Sequence, residues 1–238
     1  MYLDSKKQVK LINLNTSKIY MPYPIHRFKE EQIKLARRVI KRDDFDKSAV
    51  KLVAGVDTAY IDNKVIAAVV VCDINTLEPV ERKYAIKEAP IPYIPGFLAY
   101  RDSPAIVEAF HLLEKKPDIL LVDAHGISHP RFLGMASHLG LVLDIPTIGV
   151  AKKKVCGQIQ DDKLIYKDKI VAQLVQTREY AKPLFISIGH RISLKTAVEF
   201  VKRLVKPPHK LPEPLHLAHR YADKIREREL EKQKKNQE

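Results

Sequence analysis

Cysteine is nearly absent: Cys72 and Cys156 are the only two in 238 residues, and neither stands in a pairing pattern. A disulfide framework is not expected, and a reducing compartment fits. No Cys/His spacing suits zinc. No apolar run approaches the roughly eighteen residues of a membrane span, and Met1-Tyr2-Leu3-Asp4 does not open a secretory signal. The expectation is a cytoplasmic protein with no membrane partner. Acidic residues are also in deficit, 29 Asp plus Glu against 42 Lys plus Arg, which leaves a net charge of +13. That balance favours a polyanionic partner through field steering and counterion release, and describes an ordinary basic protein equally well.

A chain of this length with 45% hydrophobic residues can bury one substantial core. Residues 1–24 mix Lys, Asn and Tyr without a clean period and read as an extension or arm. Residues 25–238 are expected to form one domain. An amphipathic helix is predicted from Phe28 to Val39, ended by Asp43-Asp44. Two apolar, β-rich stretches, Leu52 to Tyr60 and Val65 to Asp73, and a further strand pattern, Val80 to Ile86, follow with no room for helices between them. They predict an antiparallel meander. Asp57 is set into the first of these strands. An ionised carboxylate there costs several kcal/mol unless paired, so it is either a metal ligand or a group hydrogen-bonded at a strand end or at a bulge made by Gly55.

The chain is organised around residues 118–154. Ile119 to Val122 is a buried-strand run that delivers Asp123 at its carboxyl end, where open α/β sheets keep their chemistry. The loop Ala124-His125-Gly126-Ile127-Ser128-His129-Pro130 carries groups suited to metals, phosphates or close-packed ligands. Arg131 opens a helical pattern with Phe132, Met135, Ala136, Leu139 and Leu143 on one face. A second buried strand, Pro146 to Val150, leads to Lys152, which is expected near the same sheet edge as Asp123. His129 supports a metal-bound water, touches phosphate or makes a loop hydrogen bond; the spacing does not separate these.

Before this stretch, Pro90, Pro92 and Pro95 stiffen a loop around Tyr93. The ring either packs the loop onto the core or is presented to a base taken out of its stack. Ser103-Pro104 reads as a helix N-cap with Pro in the first turn, with Asp102 beside it on the favourable side of the dipole. After Lys154, short strands around Gln160-Asp161-Asp162 precede a buried strand, Pro183 to Ile188. Gly189-His190-Arg191 then leads to Ser193, which can cap a helix from Leu194 to Val205. Lys206-Pro207-Pro208 breaks the chain before a final helix whose charges alternate from Lys224 onward.

The wording GISHPRFLGMASHLGLVLDIPTIGVAKK, with GVDTAY, PYIPG and SIGHRISLKTAVEFV at matching intervals, resembles the endonuclease V family, from about Phe28 to the last helix. The resemblance implies an α/β, ribonuclease-H-like mixed sheet, a meander followed by α/β units with helices on both faces. It also implies Mg²⁺-dependent hydrolysis (Mn²⁺ substituting) of the second phosphodiester bond 3′ to deoxyinosine in DNA, leaving 5′-phosphates. By the same likeness Asp57, Asp102, Asp123 and His219 hold the metal and Lys152 offsets charge on the phosphate. Tyr93 fills the gap left by the extruded base, and Gly96, Leu98, Gly126 and His129 contribute to substrate binding. A monomer acting on DNA with deoxyinosine or other deaminated bases, or on inosine RNA, is the expected reading.

Three positions depart from the family's pattern. Asp102 stands where Glu is usual, Ala124 replaces a loop glycine, and His216 replaces an arginine. They keep two rivals in view, a ribonuclease-H-like nuclease for inosine RNA or branched and flap DNA, and a nucleic-acid-binding module with an impaired site.

Overall fold

A computed structural model describes residues 23–236; the expectation for residues 1–22 falls outside it. The predicted meander is present as β1 (Leu52–Ile61), β2 (Lys64–Asp73) and β3 (Pro79–Glu88), paired antiparallel in sequence order. β4 (Ile119–Val122) lies parallel to β1, and β5 (Thr147–Ala151) parallel to β4. The sheet continues through β6 (Gln158–Gln160), β7 (Lys163–Tyr166), β8 (Lys169–Val175) and β9 (Leu184–His190) in the overall order β3-β2-β1-β4-β5-β9-β8-β7-β6. Its length follows from composition. β2 is apolar on both faces and buried throughout Val65–Cys72, as a central strand covered by helices must be.

The helices are α1 (Ile25–Ala36), α2 (Leu98–His111), α3 (Met135–Leu143), α4 (Leu194–Arg203) and α5 (Glu213–Lys235). Strand alternation sorts the core into two layers. Ala54 and Val56 face α2 and α3, packing with Ile106, Phe110 and Leu139. Val53, Ile148 and Val150 face the layer of α4 and α5, with Val201 and Leu215. On the same face Ala59, Ile66 and Ala68 meet Ala222 and Ile225 of α5. Among the described residues, no helix is long and apolar enough to cross a membrane.

Several helix boundaries differ from the sequence expectation, three of them next to the site or the β9 edge. α1 ends at Ala36, three residues early, because the chain then runs along β9. Ile40 N–H donates to His190 Nδ1 at 3.2 Å, and Arg191 N–H donates to Ile40 O at 2.8 Å. α2 begins at Leu98, so Ser103 and Pro104 lie inside the helix and do not cap it. Ser103 Oγ turns back on the Ala99 carbonyl at 2.5 Å. α3 begins at Met135, not Arg131, because Phe132 takes a left-handed φ of 57° and Gly134 is extended. This turn releases the Arg131 side chain toward the site.

Candidate active site

Asp57 sits on the α5 face of β1, and its neighbour Thr58 on the α2 face. Asp57 Oδ2 lies 2.7 Å from His219 Nδ1 on α5. Two backbones must nearly touch for this contact to form. A Cβ on Gly55 would lie 2.2 Å from the carbonyl carbon of Pro214, so glycine is what lets the first turn of α5 seat on β1. Burial first, and then the charge of Asp123, push the Asp57 carboxyl up to about 6, against the pull of His219, the Thr58 N–H and Lys152. Asp123 follows β4 and donates its N–H to Val56 O at 3.2 Å. Lys152, just past β5, reaches Asp123 Oδ2 at 2.5 Å. Burial would lower Lys152, but Asp123 and, less strongly, Asp57 hold it above its ordinary value. The predicted carboxylate and cation are thus together.

Asp102 is placed differently. It is fully buried on α2, where Oδ2 accepts from Tyr60 Oη at 2.5 Å and from Thr58 Oγ1 at 3.3 Å. Arg101 Nη1 lies 3.5 Å from its other oxygen, which accepts no hydrogen bond. Burial raises its pKa against these partners. Strand alternation therefore puts Asp102 on the Thr58 side of β1, away from the contacts of Asp57. Among the described residues no three acidic, histidine or cysteine side chains converge as a ready metal cage. What is assembled is the pair Asp57–Asp123 with His219 at its edge. Two neighbouring carboxylates, one of them raised by burial and then by the charge of the other, suit a hard divalent cation. The unpartnered Asp102 oxygen is a further free oxygen donor.

Beside Asp123 and Lys152 opens a cavity of about 550 Å³ whose lining includes Tyr93, Gly96, Leu98, His125, His129 and Met135. Tyr93 stands at 65% exposure, so its ring is presented and not packed. His129 Nε2 donates to Gly96 O at 3.2 Å while its Nδ1 accepts from Arg131 N–H at 3.3 Å, the loop hydrogen bond that was one of the readings the sequence left open. Burial takes both His125 and His129 down to about 4, so two neutral imidazoles line the cavity. Arg131, Lys152 and Lys153 share the lining, so the cavity sets neutral imidazoles, which suit a polar ring, beside cations, which suit phosphate. Gly126 does not line it. Its N–H donates to Ser187 Oγ at 2.9 Å, and a Cβ would strike Ile188 O at 2.0 Å, so this glycine seats the loop on β9.

Gln32 escaped the sequence reading. Buried on α1, it donates to Gly96 O at 3.1 Å, and its Oε1 accepts from Arg131 Nε at 2.5 Å. Arg131 Nη2 reaches the same carbonyl at 2.8 Å. The only signal in the sequence was a polar residue on the apolar side of an amphipathic helix. His216, at the departed arginine position, stacks on His209 with ring centroids 3.6 Å apart and leaves Nε2 without a partner.

A mixed sheet with the order β3-β2-β1-β4-β5, with carboxylates where β1 and β4 run side by side, defines a ribonuclease-H-like nuclease. The Endonuclease V family model matches residues 33–220. The chain belongs to the endonuclease V family, and is an endonuclease of that metal-dependent group. It is 43% identical over 201 residues to the endonuclease V of Dictyoglomus thermophilum, covering 81% of this chain and 87% of that one. Its fold matches the Bacillus subtilis endonuclease V structure with a TM-score of 0.81 at 28% identity, over 88% and 95% of the two chains. The endonuclease V of Ciona intestinalis, solved with a 24mer DNA containing an inosine followed by a ribo-adenosine, matches with a TM-score of 0.78 at 28% identity, over 86% and 98%.

Proposed function

We propose that this enzyme hydrolyses, with Mg²⁺, the second phosphodiester bond 3′ to deoxyinosine in DNA, leaving the lesion in place for later repair. The observation that carries the reading is the cavity beside the Asp123–Lys152 pair, lined by two neutral imidazoles and by Arg131 and Lys153, and flanked by an exposed tyrosine. An extruded hypoxanthine is a flat, neutral, polar ring, and the ring of Tyr93 can occupy the space it leaves in the stack. Gly96 and Leu98 then meet the base, and His129 holds Gly96 in place.

Asp57, Asp123 and His219 would hold the cation, and Asp102, whose Oδ1 accepts no hydrogen bond, would be a further oxygen donor to it. The bound ion would supply Lewis-acid polarisation of the phosphodiester, a role Mn²⁺ can also fill. Lys152, charged beside Asp123, offsets the negative charge that develops on the phosphate oxygens. His219 fixes the orientation of the Asp57 carboxylate. The two free cysteines agree with a cytoplasmic enzyme, and we assign it as a monomer.

An end-labelled oligonucleotide with one deoxyinosine, incubated with Mg²⁺ or EDTA, tests the reading. One metal-dependent cut on the 3′ side of the lesion is expected, and none with Asp57→Ala. The ribo-adenosine after the inosine in the Ciona complex motivates a second reading, inosine in RNA, so an inosine RNA strand is run alongside. Cutting of that strand alone would transfer the substrate to RNA and keep the site.

A further inference from the structure

The loop between β8 and β9 takes no part in the site just described, yet it is built to be seen from solvent. Arg178, Glu179, Tyr180 and Ala181 form a tight turn closed by the Ala181 N–H on Arg178 O at 3.2 Å. Tyr180 holds a left-handed φ of 57° and is 95% exposed, more than any other large apolar or aromatic side chain among the described residues. A tyrosine in that backbone region is uncommon, and full exposure of its ring gains nothing for the fold. Arg178 and Lys182 flank it, both exposed, and neither forms an ion pair among the described residues.

The loop is tied to the approach to α5. Thr177 Oγ1 donates to Lys210 O at 2.6 Å, two residues before the proline that precedes the helix bearing His219. Burial and then the positive charges of Lys152, Arg178 and Lys182 depress the Lys210 ammonium, with Asp123 opposing. Arg178 and Lys182, exposed and outside any ion pair among the described residues, suit a polyanion, and an exposed ring between them offers a stacking surface.

We propose that the segment Thr177–Lys182, with Lys210, is a second nucleic-acid contact surface that carries an unpaired stretch of the substrate strand to the site. Arg178, Lys182 and Lys210 meet phosphates, and Tyr180 stacks on one base without reading its identity. Glu179, the single acid of the turn, sets the edge of this track. The surface rests on the reading of the enzyme as a nuclease for nucleic acid, but not on which lesion it cuts.

Fluorescence anisotropy of a labelled single strand lacking any lesion, titrated with the full chain in EDTA, tests it without catalysis. Tyr180→Ala is expected to weaken binding about tenfold and Tyr180→Phe to restore it, since the ring and not the hydroxyl makes the contact. The double variant Arg178→Gln/Lys182→Gln is expected to make the dependence of log K on log salt shallower by about 1.4, since each phosphate deprived of its cation takes away about 0.7. Cleavage of a deoxyinosine strand is measured in parallel. If wild type fails to cut but the binding losses appear, the lesion assignment falls and the surface stands. If Tyr180→Ala binds as wild type and the salt slope is unchanged, the surface is overturned whatever the cleavage assay gives. Equal weakening by Tyr180→Ala and Tyr180→Phe would also overturn it, because stacking would then not be the contact.

Discussion

At the scale of residues, Asp57 carries a conflict between stability and function. Its carboxyl is raised to about 6, by burial first and then by repulsion from Asp123, so ionising it at neutral pH works against the metal-free fold. Asp57→Asn removes that repulsion while keeping a partner for His219. It is expected to stabilise the metal-free fold by about 1 kcal/mol and to abolish cutting. Thermal melts in EDTA, with and without added Mg²⁺, check this; a variant that melts lower than wild type in EDTA would be the wrong outcome. Asp102 gives a second test. Asp102→Asn is expected to remove most cleavage, and Tyr60→Phe to lower the Mg²⁺ concentration needed for half-maximal rate, because it frees the oxygen that now accepts from Tyr60 at 2.5 Å. Near-wild-type cutting by Asp102→Asn would take that carboxylate out of the chemistry.

At the scale of elements, α4 depends on an acid from another part of the chain. Asp43 accepts from Ser193 N–H at 2.7 Å and Thr196 Oγ1 at 2.7 Å, and pairs with Lys47 at 2.8 Å. Burial acts upward on Asp43, but these partners together bring it from 3.8 to about 2. A depressed carboxyl stabilises the fold above its unfolded pKa, and that contribution fades as pH falls from about 4 through about 2. Asp43→Ala is expected to cost about 1–2 kcal/mol at neutral pH, an amount discounted for partial exposure, and nothing at the acid end. Denaturant melts across that pH range measure it. Gln32→Leu should loosen the loop that Gly96 anchors and raise KM several-fold with kcat little changed, as steady-state kinetics would report.

Strands were more legible than helix starts, for a physical reason. β1 and β2 announce themselves by apolar runs, β3 by the strand pattern that follows a turn, and Asp123 by its place after an apolar run. The pair Ser103-Pro104 imitates a cap, but α2 had already begun behind the prolines, and Pro104 sits in its second turn. The face that Asp102 occupies follows from strand alternation only once Thr58 is known to point toward α2. Gln32 reads as one more polar residue until the carbonyl it serves, 64 positions away, is in view.

At the scale of the whole molecule, the site exists because α5 closes against a strand formed near the other end of the chain. Gly55→Ala tests that closure. The added methyl has no room beside Pro214, so the variant is expected to lose about 2–3 kcal/mol and most of its activity together, measured by denaturant melts and by cleavage. Timing of synthesis follows from the same closure. Asp57 and His219 lie 162 positions apart, an interval that a ribosome takes roughly 8–30 s to translate. Through that interval the emerging chain has its meander and then its cavity, but not the helix that covers Ala59, Ile66 and Ala68. A polysome making this enzyme thus carries sticky, catalytically silent half-products, and the power to cut arrives only after α5 has left the exit tunnel and docked.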